Sequence, residues 1–391
     1  MHLRYQSTTR PLATRMLTKH RRAASIGLAA LAVIAGCGLS GCASTQLGAP
    51  ASTTASDQGP LSGLTLLDDP KSYLGPSTAV LPSTAIVPVS EDPQQSFPAS
   101  TTSYDRGGNA VVKITDTSRV VALDLSGSIA ATVWGLGFGS TLVGRDESTT
   151  FPGTEHLETV TSGGHTVNAE RVIGLHPSLV ITDGTVGPRE VIEQLRDVGI
   201  TVVFVKNDPS FGGAEELARQ VAAAYGAPQV GEALASRITQ EVNAKIAEIA
   251  AIAPHSSDRK LRIVFLYLRG SAGVYYLFGE ESGADQLIEG LGGIDVAGEL
   301  GWTGMKPLTD EAMVAANPDL VLVMSKGIAS VGGVDQLLRD KPAIALTNAG
   351  EHRRFVDMDD GSILSFGPRS ASVLDALARA IYAPSGTAIG G

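Results

Sequence analysis

Two stretches of the chain, Asn168–Thr182 and Thr309–Val323, repeat one pattern 141 residues apart: NAERVIGLHPSLVIT and TDEAMVAANPDLVLV. Glutamate, proline, leucine and valine recur at matching places in both. Each stretch has an amphipathic segment, a proline and then an apolar run, which is typical of a helix, a turn and a buried strand. Both halves of the chain are therefore predicted to carry the same α/β unit.

The sequence around these stretches predicts the rest of the architecture. Short apolar runs alternate with amphipathic segments, which favours doubly wound parallel sheets. Between the halves, residues 213–253 have a helical pattern with a break around residues 226–228. We therefore predict an α/β fold in which two similar lobes with central parallel sheets are joined by a single long backbone helix. The predicted ranges are an N-terminal lobe at 104–210, a connecting helical segment at 211–255 and a C-terminal lobe at 256–391.

The first 41 residues are predicted to be a lipoprotein signal peptide. They hold six of the chain's 30 basic residues and no acid, and Ile26–Gly36 is apolar. That apolar segment is too short to span a bilayer and has the length of a signal-peptide core. It runs into Leu39-Ser40-Gly41-Cys42, which resembles the bacterial lipobox, although Cys37 fits the same pattern. We expect acylation of Cys42 to hold the protein at the extracytoplasmic face of the cell membrane.

Residues 42–103 are predicted to form a lipid-anchored, low-complexity stalk. Of the 61 residues from 43 to 103, 38 are Ala, Ser, Thr, Gly or Pro. Such a composition buries too little apolar surface to offset the entropy lost on ordering, so the stalk is expected to be mostly disordered. Two patches, Leu61–Leu67 and Ala79–Val89, are apolar enough for one of them to dock on the body.

Charge and cysteine content exclude several classes of function. Beyond residue 41 the chain carries 24 basic and 40 acidic residues, so its surface is not expected to attract nucleic acid. Cys37 and Cys42 both lie beside the N-terminal apolar segment, which leaves the folded part without a disulfide, a thiolate metal site or a cysteine nucleophile. Histidines at metal-ligand spacing are also missing, so no dedicated zinc or copper site is predicted.

The two lobes, the long helix, the lipobox and the repeated unit resemble the helical-backbone class (class III) of ABC-importer substrate-binding proteins. Within that class three stretches resemble the haem-binding lipoproteins of actinobacterial haem uptake systems, the HmuT type: Gly163–Glu170 (GGHTVNAE), Tyr267–Gly270 (YLRG) and Phe366–Arg369 (FGPR). The resemblance implies a monomeric binding protein, not an enzyme. It would capture ferric haem b as a transported ligand and deliver it to an ABC permease and its ATPase. Upstream haem-donor proteins are further expected partners.

The resemblance also implies roles for three residues. His165 and Tyr267 would be the axial ligands of the haem iron, and Arg269 would hydrogen-bond to the tyrosine's phenolate. Residues i and i+2 of a strand share a side, so Tyr267 and Arg269 can act together. A phenolate is a hard, anionic ligand suited to ferric iron, and an adjacent guanidinium favours the anion. His165 follows two glycines at the edge of the first lobe, which places a planar ligand between the lobes.

Further residues are candidates for the pocket and for docking. Tyr275, Tyr276, Phe278 and Met305 are candidate walls of a porphyrin pocket, with a place in the core as the alternative. Glu170 resembles the lobe-rim acid that meets an arginine of the permease in this class. Glu289 is its candidate counterpart in the second lobe and Asp285 the alternative, unless these acids are ordinary helix-surface carboxylates.

Two other functions stay open. One is a siderophore or corrinoid binder of the same importer class, in which pocket Arg and Tyr side chains bond an oxygen-rich ligand and His165 is incidental. The other is a surface hydrolase that uses His165 with Ser162 or Ser271. The hydrolase has little support, because the chain lacks a G-x-S-x-G nucleophile elbow.

Overall fold

The computed structural model describes residues 59–163 and 165–384. The predicted signal peptide (1–41) and Cys42 lie outside these residues. Within them, the chain forms two α/β lobes with central sheets, which confirms the predicted fold class. None of the helices in this part of the chain has the length and apolarity needed to cross a membrane.

The first lobe is built on a five-stranded sheet in the order β10-β9-β4-β5-β6, with every neighbouring pair parallel. The strands up to this point of the chain are β1 (Ser77–Ala79), β2 (Ala99–Asp105), β3 (Gly108–Ile114), β4 (Val120–Leu123), β5 (Leu142–Arg145), β6 (Glu158–Thr159), β7 (Thr161–Ser162), β8 (Thr166–Val167), β9 (Leu179–Thr182) and β10 (Thr201–Phe204). The helices of this lobe are α1 (Ser128–Gly135), α2 (Ala169–Gly174), α3 (Arg189–Asp197) and α4 (Phe211–Ala224).

The second lobe is built on a sheet in the order β1-β16-β15-β11-β12-β14, and β13 also pairs with β11. Its remaining strands are β11 (Arg262–Arg269), β12 (Val274–Phe278), β13 (Ile294–Asp295), β14 (Met305–Pro307), β15 (Leu320–Met324) and β16 (Phe355–Met358). The helices from the interlobe connection onward are α5 (Pro228–Ile252), α6 (Ala284–Gly290), α7 (Val296–Glu299), α8 (Asp310–Ala316), α9 (Ser325–Ser330), α10 (Gly333–Asp340), α11 (Pro342–Ala345), α12 (Asn348–Glu351) and α13 (Ser370–Tyr382).

Two helices occupy the predicted connecting segment. Gly226, with a left-handed φ of 66°, separates α4 from α5, and Pro228 is a favourable first residue for α5. The 25 residues of α5 give a rod of about 37 Å, which links the lobes. One continuous apolar core includes residues of both sheets together with α1, α4, α5 and α13.

The sequence repeat corresponds to a structural repeat. Helix α2 leads into strand β9 in the first lobe, and helix α8 leads into strand β15 in the second. His176 and Asn317 end the two helices at equivalent positions, and both have positive φ values, 48° and 36°. This conformation explains why a polar residue precedes the proline in each copy, since asparagine and histidine tolerate it better than most residues. His176 therefore has a structural role at a helix end.

The prediction of a disordered stalk is wrong for residues 59–103. Residues 59–98, which we call the strap, pack on the body, and residues 99–105 form one strand of the β2–β3 hairpin on the first lobe. Leu61, Ala79 and Ile86 of the strap are buried. Strand β1 of the strap pairs in parallel with β16 and adds an edge strand to the sheet of the second lobe. That sheet therefore draws on residues outside the predicted range 256–391.

Backbone hydrogen bonds explain how so polar a segment is ordered. Amides of the strap donate to carbonyls of the body at Leu67→Tyr382 (2.9 Å), Val89→Gly135 (2.8 Å) and Ser96→Gly226 (2.9 Å). These bonds are independent of side-chain composition, so composition alone does not predict them. Because Tyr382 belongs to the second lobe and Gly135 to the first, the strap runs from one lobe to the other.

Candidate functional site

An aromatic ladder lines one face of the second lobe's sheet. Strand β11 pairs antiparallel with β12, so that Phe265 lies opposite Phe278 and Tyr267 opposite Tyr276. The Phe278 ring stacks on both Phe265 and Tyr267, with centroid distances of 5.1 and 5.6 Å. Phe265 is fully buried, whereas Tyr267, closer to the end of the strand, is half-buried. The ladder thus leads from the core to a tyrosine at the end of the strand.

Arg269 lies over the ring of Tyr267. The guanidinium carbon is 4.5 Å from the ring centroid, as the shared strand face predicts. Nη2 of Arg269 donates to Asp360 Oδ2 at 2.9 Å, and Nη1 donates to the carbonyl of Leu268 at 2.8 Å. The structure therefore brings Tyr267 and Arg269 together, while the predicted bond to the phenolate oxygen stays a prediction. Asp360 is 91 residues away in the chain, and no sequence signal linked it to this pair.

Three of the four predicted pocket-wall residues share the face of Tyr267, and the fourth does not. Tyr276 and Phe278 lie on that face, and Met305, 61% exposed, lies opposite Phe278 in the neighbouring strand. Tyr275 packs against the core on the other side of the sheet, with Lys341 Nζ 4.2 Å from its ring centroid. The prediction is wrong for Tyr275, because adjacent strand residues point to opposite faces.

Met324 is a wall candidate that the sequence analysis missed. It ends strand β15, beside β11, and packs against the same core as Tyr267 and Phe278. Its sulfur lies 3.7 Å from Nη2 of Arg269. A flexible thioether at this place suits a surface that must fit a large flat ligand.

His165 lies in the connection between β7 and β8 of the first lobe and is exposed. Its carbonyl accepts a hydrogen bond from the Gly187 amide at 2.8 Å, and Val167 N donates to the Gly187 carbonyl at 2.6 Å. These bonds fix the backbone of the hairpin while the imidazole is left accessible. The structure places His165 and Tyr267 on different lobes, and their joint role as ligands stays a prediction.

Two buried carboxyl groups and one half-buried carboxyl group meet at the C-terminal edge of the first lobe's sheet. Asp124, Asp146 and Asp183 each directly follow a strand, and Asn207 Nδ2 donates to Asp183 (2.9 Å) and Asp124 (3.4 Å). Burial raises the pKa of Asp146 to about 6 and also raises the pKa values of Asp124 and Asp183. These three residues were not among the candidates predicted from the sequence. The pattern of an acid directly after each of three parallel strands is the signal that predicts it.

The raised pKa values of Asp124, Asp146 and Asp183 predict that the free energy of unfolding depends on pH. Between about pH 4 and 6 the folded state holds protons that the unfolded state has lost, so the free energy of unfolding falls as pH rises through this range. Urea unfolding at pH 5 and at pH 7.5 measures this fall. We expect the free energy of unfolding to fall by about 1–3 kcal/mol less between these two pH values in Asp146→Asn than in the wild type. Asp105→Asn is the control, because Arg196 lowers the pKa of Asp105 and its titration lies below this range. An unchanged slope in Asp146→Asn would contradict the assignment.

The predicted docking acids are exposed, one on each lobe. Glu170 lies in the first turn of α2, and Glu289 near the end of α6. Glu289 borders a groove that also contains Asp285, the alternative docking acid. Burial and the charges of these two neighbours raise the pKa of Asp295, in the same groove, to about 6. The other carboxylates of the groove are Asp208, Glu280, Glu281 and Glu299.

Comparison with known families places the chain in one of them. Residues 120–361 match the family model described as periplasmic binding protein. The chain belongs to the periplasmic binding protein family. The matched region contains the central strands of both lobes, the hairpin that carries His165 and the aromatic ladder that ends at Tyr267. Binding proteins with transport roles, rather than enzymes, are therefore the relevant comparison.

Solved structures and curated relatives extend this assignment. The crystal structure of a protein described as heme binding protein HmuT has a TM-score of 0.75 and 38% identity, covering 81% of this chain and 99% of that one. Three solved variants of it, in which a histidine, a tyrosine or an arginine is replaced by alanine, match at 37–38% identity. A cobalamin-binding protein of Halobacterium salinarum is 30% identical over 250 residues. An uncharacterized ABC transporter substrate-binding lipoprotein of Bacillus subtilis, YvrC, is 27% identical over 255 residues.

The extent of the curated matches is limited. The match to the H. salinarum protein covers 63% of this chain and 64% of that protein, and the match to YvrC covers 64% and 76%. The chain thus spans less than two thirds of the length of the cobalamin-binding relative.

Proposed function

We propose that this protein binds ferric haem between its two lobes, with Tyr267 and His165 as axial ligands, and delivers it to an ABC permease. The observation that carries the proposal is the half-buried Tyr267 with Arg269 4.5 Å above its ring at the end of the aromatic ladder. A tyrosinate is a strong ligand for ferric iron, and a positive charge beside it stabilises the anion. The 38% identity to a heme binding protein, for which tyrosine, arginine and histidine variants have been solved, supports a role for residues of these three types.

The surroundings of Tyr267 suit a porphyrin. Porphyrin is a large, flat, apolar ligand, and apolar or aromatic side chains are the usual lining of such sites. Tyr276, Phe278, Met305 and Met324 supply that lining on the second lobe. Leu125, 52% exposed and just past strand β4, is the corresponding apolar candidate on the first lobe. Haem is the transported ligand in this proposal, and the protein itself performs no catalysis.

A corrinoid is the second candidate ligand, because a relative 30% identical to this chain is described as cobalamin-binding. Competition between the two ligands tests the proposal. We expect ferric haem to bind at least about 100-fold more tightly than cyanocobalamin, because the cobalt of cyanocobalamin already carries a lower axial base and an upper cyanide and offers no open position to Tyr267. Equilibrium dialysis against each ligand measures this ratio. Tighter binding of cyanocobalamin would replace the haem proposal with the corrinoid one.

The exposed acids Glu170 and Glu289 are proposed to contact the permease, one from each lobe. Charge reversal at a docking surface replaces attraction by repulsion, so Glu170→Lys and Glu289→Lys are each expected to weaken binding to the permease in nanodiscs by about 10-fold. Glu216→Lys, an equal charge change at an exposed residue of α4, is the control and is expected to bind normally. Normal binding by both docking variants would contradict this part of the proposal.

Lipid anchoring through Cys42 is proposed from the lipobox sequence. The description of YvrC as a substrate-binding lipoprotein supports it. In this arrangement the anchor is followed by residues 43–58 and then by the strap, which begins on the second lobe where Arg379 donates to the carbonyl of Gly59. The predicted location is the extracytoplasmic face of the cell membrane.

A further inference from the structure

Asp360, in the turn after strand β16, accepts hydrogen bonds from two different elements through its two carboxylate oxygens. Asp360 Oδ2 accepts from Arg269 Nη2 at 2.9 Å, and Oδ1 accepts from the Lys326 amide at 2.9 Å. Asp360 thus connects the end of β11 to the start of α9. Its side chain is only 14% exposed, so this ion pair is better shielded from solvent than a surface salt bridge.

The turn itself, residues 359–362, is fixed from several sides. Asp359 Oδ1 accepts from the Gly361 amide and the Ser362 hydroxyl, both at 3.1 Å. Arg369 donates to the Gly361 carbonyl at 3.2 Å. A Cβ on Gly361 would lie 2.8 Å from Thr150 Oγ1 of the first lobe, so the turn is packed closely against that lobe. Asp360 is therefore presented to Arg269 by a rigid support.

Arg269 has several rotatable bonds, and its position over Tyr267 depends on what holds the guanidinium. Nη1 and Nη2 are bound to Leu268, Asp360 and Met324, whereas Nε has no hydrogen-bond partner among the described residues. Asp360 thus fixes one edge of the guanidinium and leaves another N–H available. A pre-positioned guanidinium loses little conformational entropy when a phenolate forms beside it.

We propose that Asp360 is a positioning residue, which holds Arg269 over Tyr267 and thereby strengthens the tyrosinate–iron bond of the haem-loaded protein. This inference rests on the proposed haem function and deepens it. Without the Asp360 carboxylate, Arg269 can leave the Tyr267 ring, and the Tyr267 phenolate then has no cation beside it. The expected consequence is a weaker iron–phenolate bond with the ligand set unchanged.

The test compares Asp360→Asn with wild type in the full chain. Asparagine keeps an oxygen for the Lys326 amide, so the turn retains that bond while the charge facing Arg269 is removed. We expect the tyrosinate-to-iron charge-transfer band to shift, and haem transfer to excess apomyoglobin to be about 10-fold faster. In the crystal structure of the haem-free variant, the guanidinium is expected to leave the Tyr267 ring. Asp360→Glu should restore the wild-type band at least in part.

Asp357→Asn is the matched control. Asp357 is a buried carboxylate three residues earlier that accepts from Thr78 and Ser325 and has no described contact with Arg269. We expect it to lower the melting temperature without moving the band. If the charge-transfer band and the rate of haem transfer are both unchanged in Asp360→Asn, the role of Asp360 is overturned. The haem function still stands in that case, provided that the wild type shows the band. A wild type without any tyrosinate band overturns the haem function itself. If Asp360→Asn does not fold, Asp360→Ser is measured in the same way.

Discussion

Tyr267→Phe is expected to weaken ferric haem binding by at least about 100-fold. Replacing groups that only support a metal ligand costs 10–100-fold in affinity, and this change removes a ligand atom itself. Phenylalanine keeps the ring that stacks on Phe278 at 5.6 Å, so the fold and the apolar wall are preserved. Fluorescence quenching titrations with ferric haem measure the dissociation constant.

Tyr276→Phe is the control for this prediction. Tyr276 lies directly opposite Tyr267 on the neighbouring strand and on the same face of the sheet, so it loses the same atom in the same surroundings. We expect its affinity to stay within about 3-fold of wild type, the scale of one neutral hydrogen bond. Equal losses in both variants would show that the hydroxyl groups matter only for the general polarity of the cleft.

Arg354→Met is expected to lower the free energy of unfolding by about 3–5 kcal/mol. Arg354 is 1% exposed, and burial lowers its pKa to about 10. It donates to Ser77 Oγ (2.8 Å) in the strap and to the carbonyls of Ala380 (3.0 Å) and Ile381 (2.9 Å) in α13. The substitution removes all three bonds and leaves the Ile381 carbonyl without this donor, while Ser77 Oγ still donates to the Ala380 carbonyl at 2.8 Å. The strap keeps its β1–β16 pairing but is held less firmly on the second lobe.

Urea unfolding measures this loss, and Arg353→Met provides the comparison. Arg353 is adjacent in sequence but exposed, and its partner Asp335 is exposed as well. We expect the control to lose less than about 1 kcal/mol. Hydrogen exchange should also show faster exchange at Ser77–Ala79 in Arg354→Met. A loss under about 1 kcal/mol in that variant would contradict the assigned role of the strap contact.

Much of the fold was predictable because glycines, prolines and apolar periodicity mark its elements. Strand β9 and helix α8 lie where the repeated stretches place them, and the break between α4 and α5 lies at Gly226 and Pro228. The strap was not predictable from composition, because it is held by backbone hydrogen bonds, a few buried apolar side chains and side-chain bonds to distant residues such as Arg354 and Asp357. Its partners lie up to about 300 residues away, which no local pattern encodes.

The site was predictable in part for the same physical reasons. Strand alternation placed Tyr267 and Arg269 on one face, and applied to Tyr275 it would have excluded that residue from the pocket wall. Asp124, Asp146 and Asp183 follow parallel strands and were open to prediction by that rule. Asp360 was not, because its contact with Arg269 depends on how the turn after β16 folds back on β11.

Haem ligation by Tyr267 and His165 can be read from the visible absorption spectrum of the purified full-length protein with ferric haem. We expect a shifted Soret band and a tyrosinate-to-iron charge-transfer band in the wild type. The charge-transfer band should be lost in Tyr267→Phe and both features altered in His165→Ala, because each variant removes one axial ligand. A wild-type spectrum identical to that of free haem would contradict haem ligation by this protein.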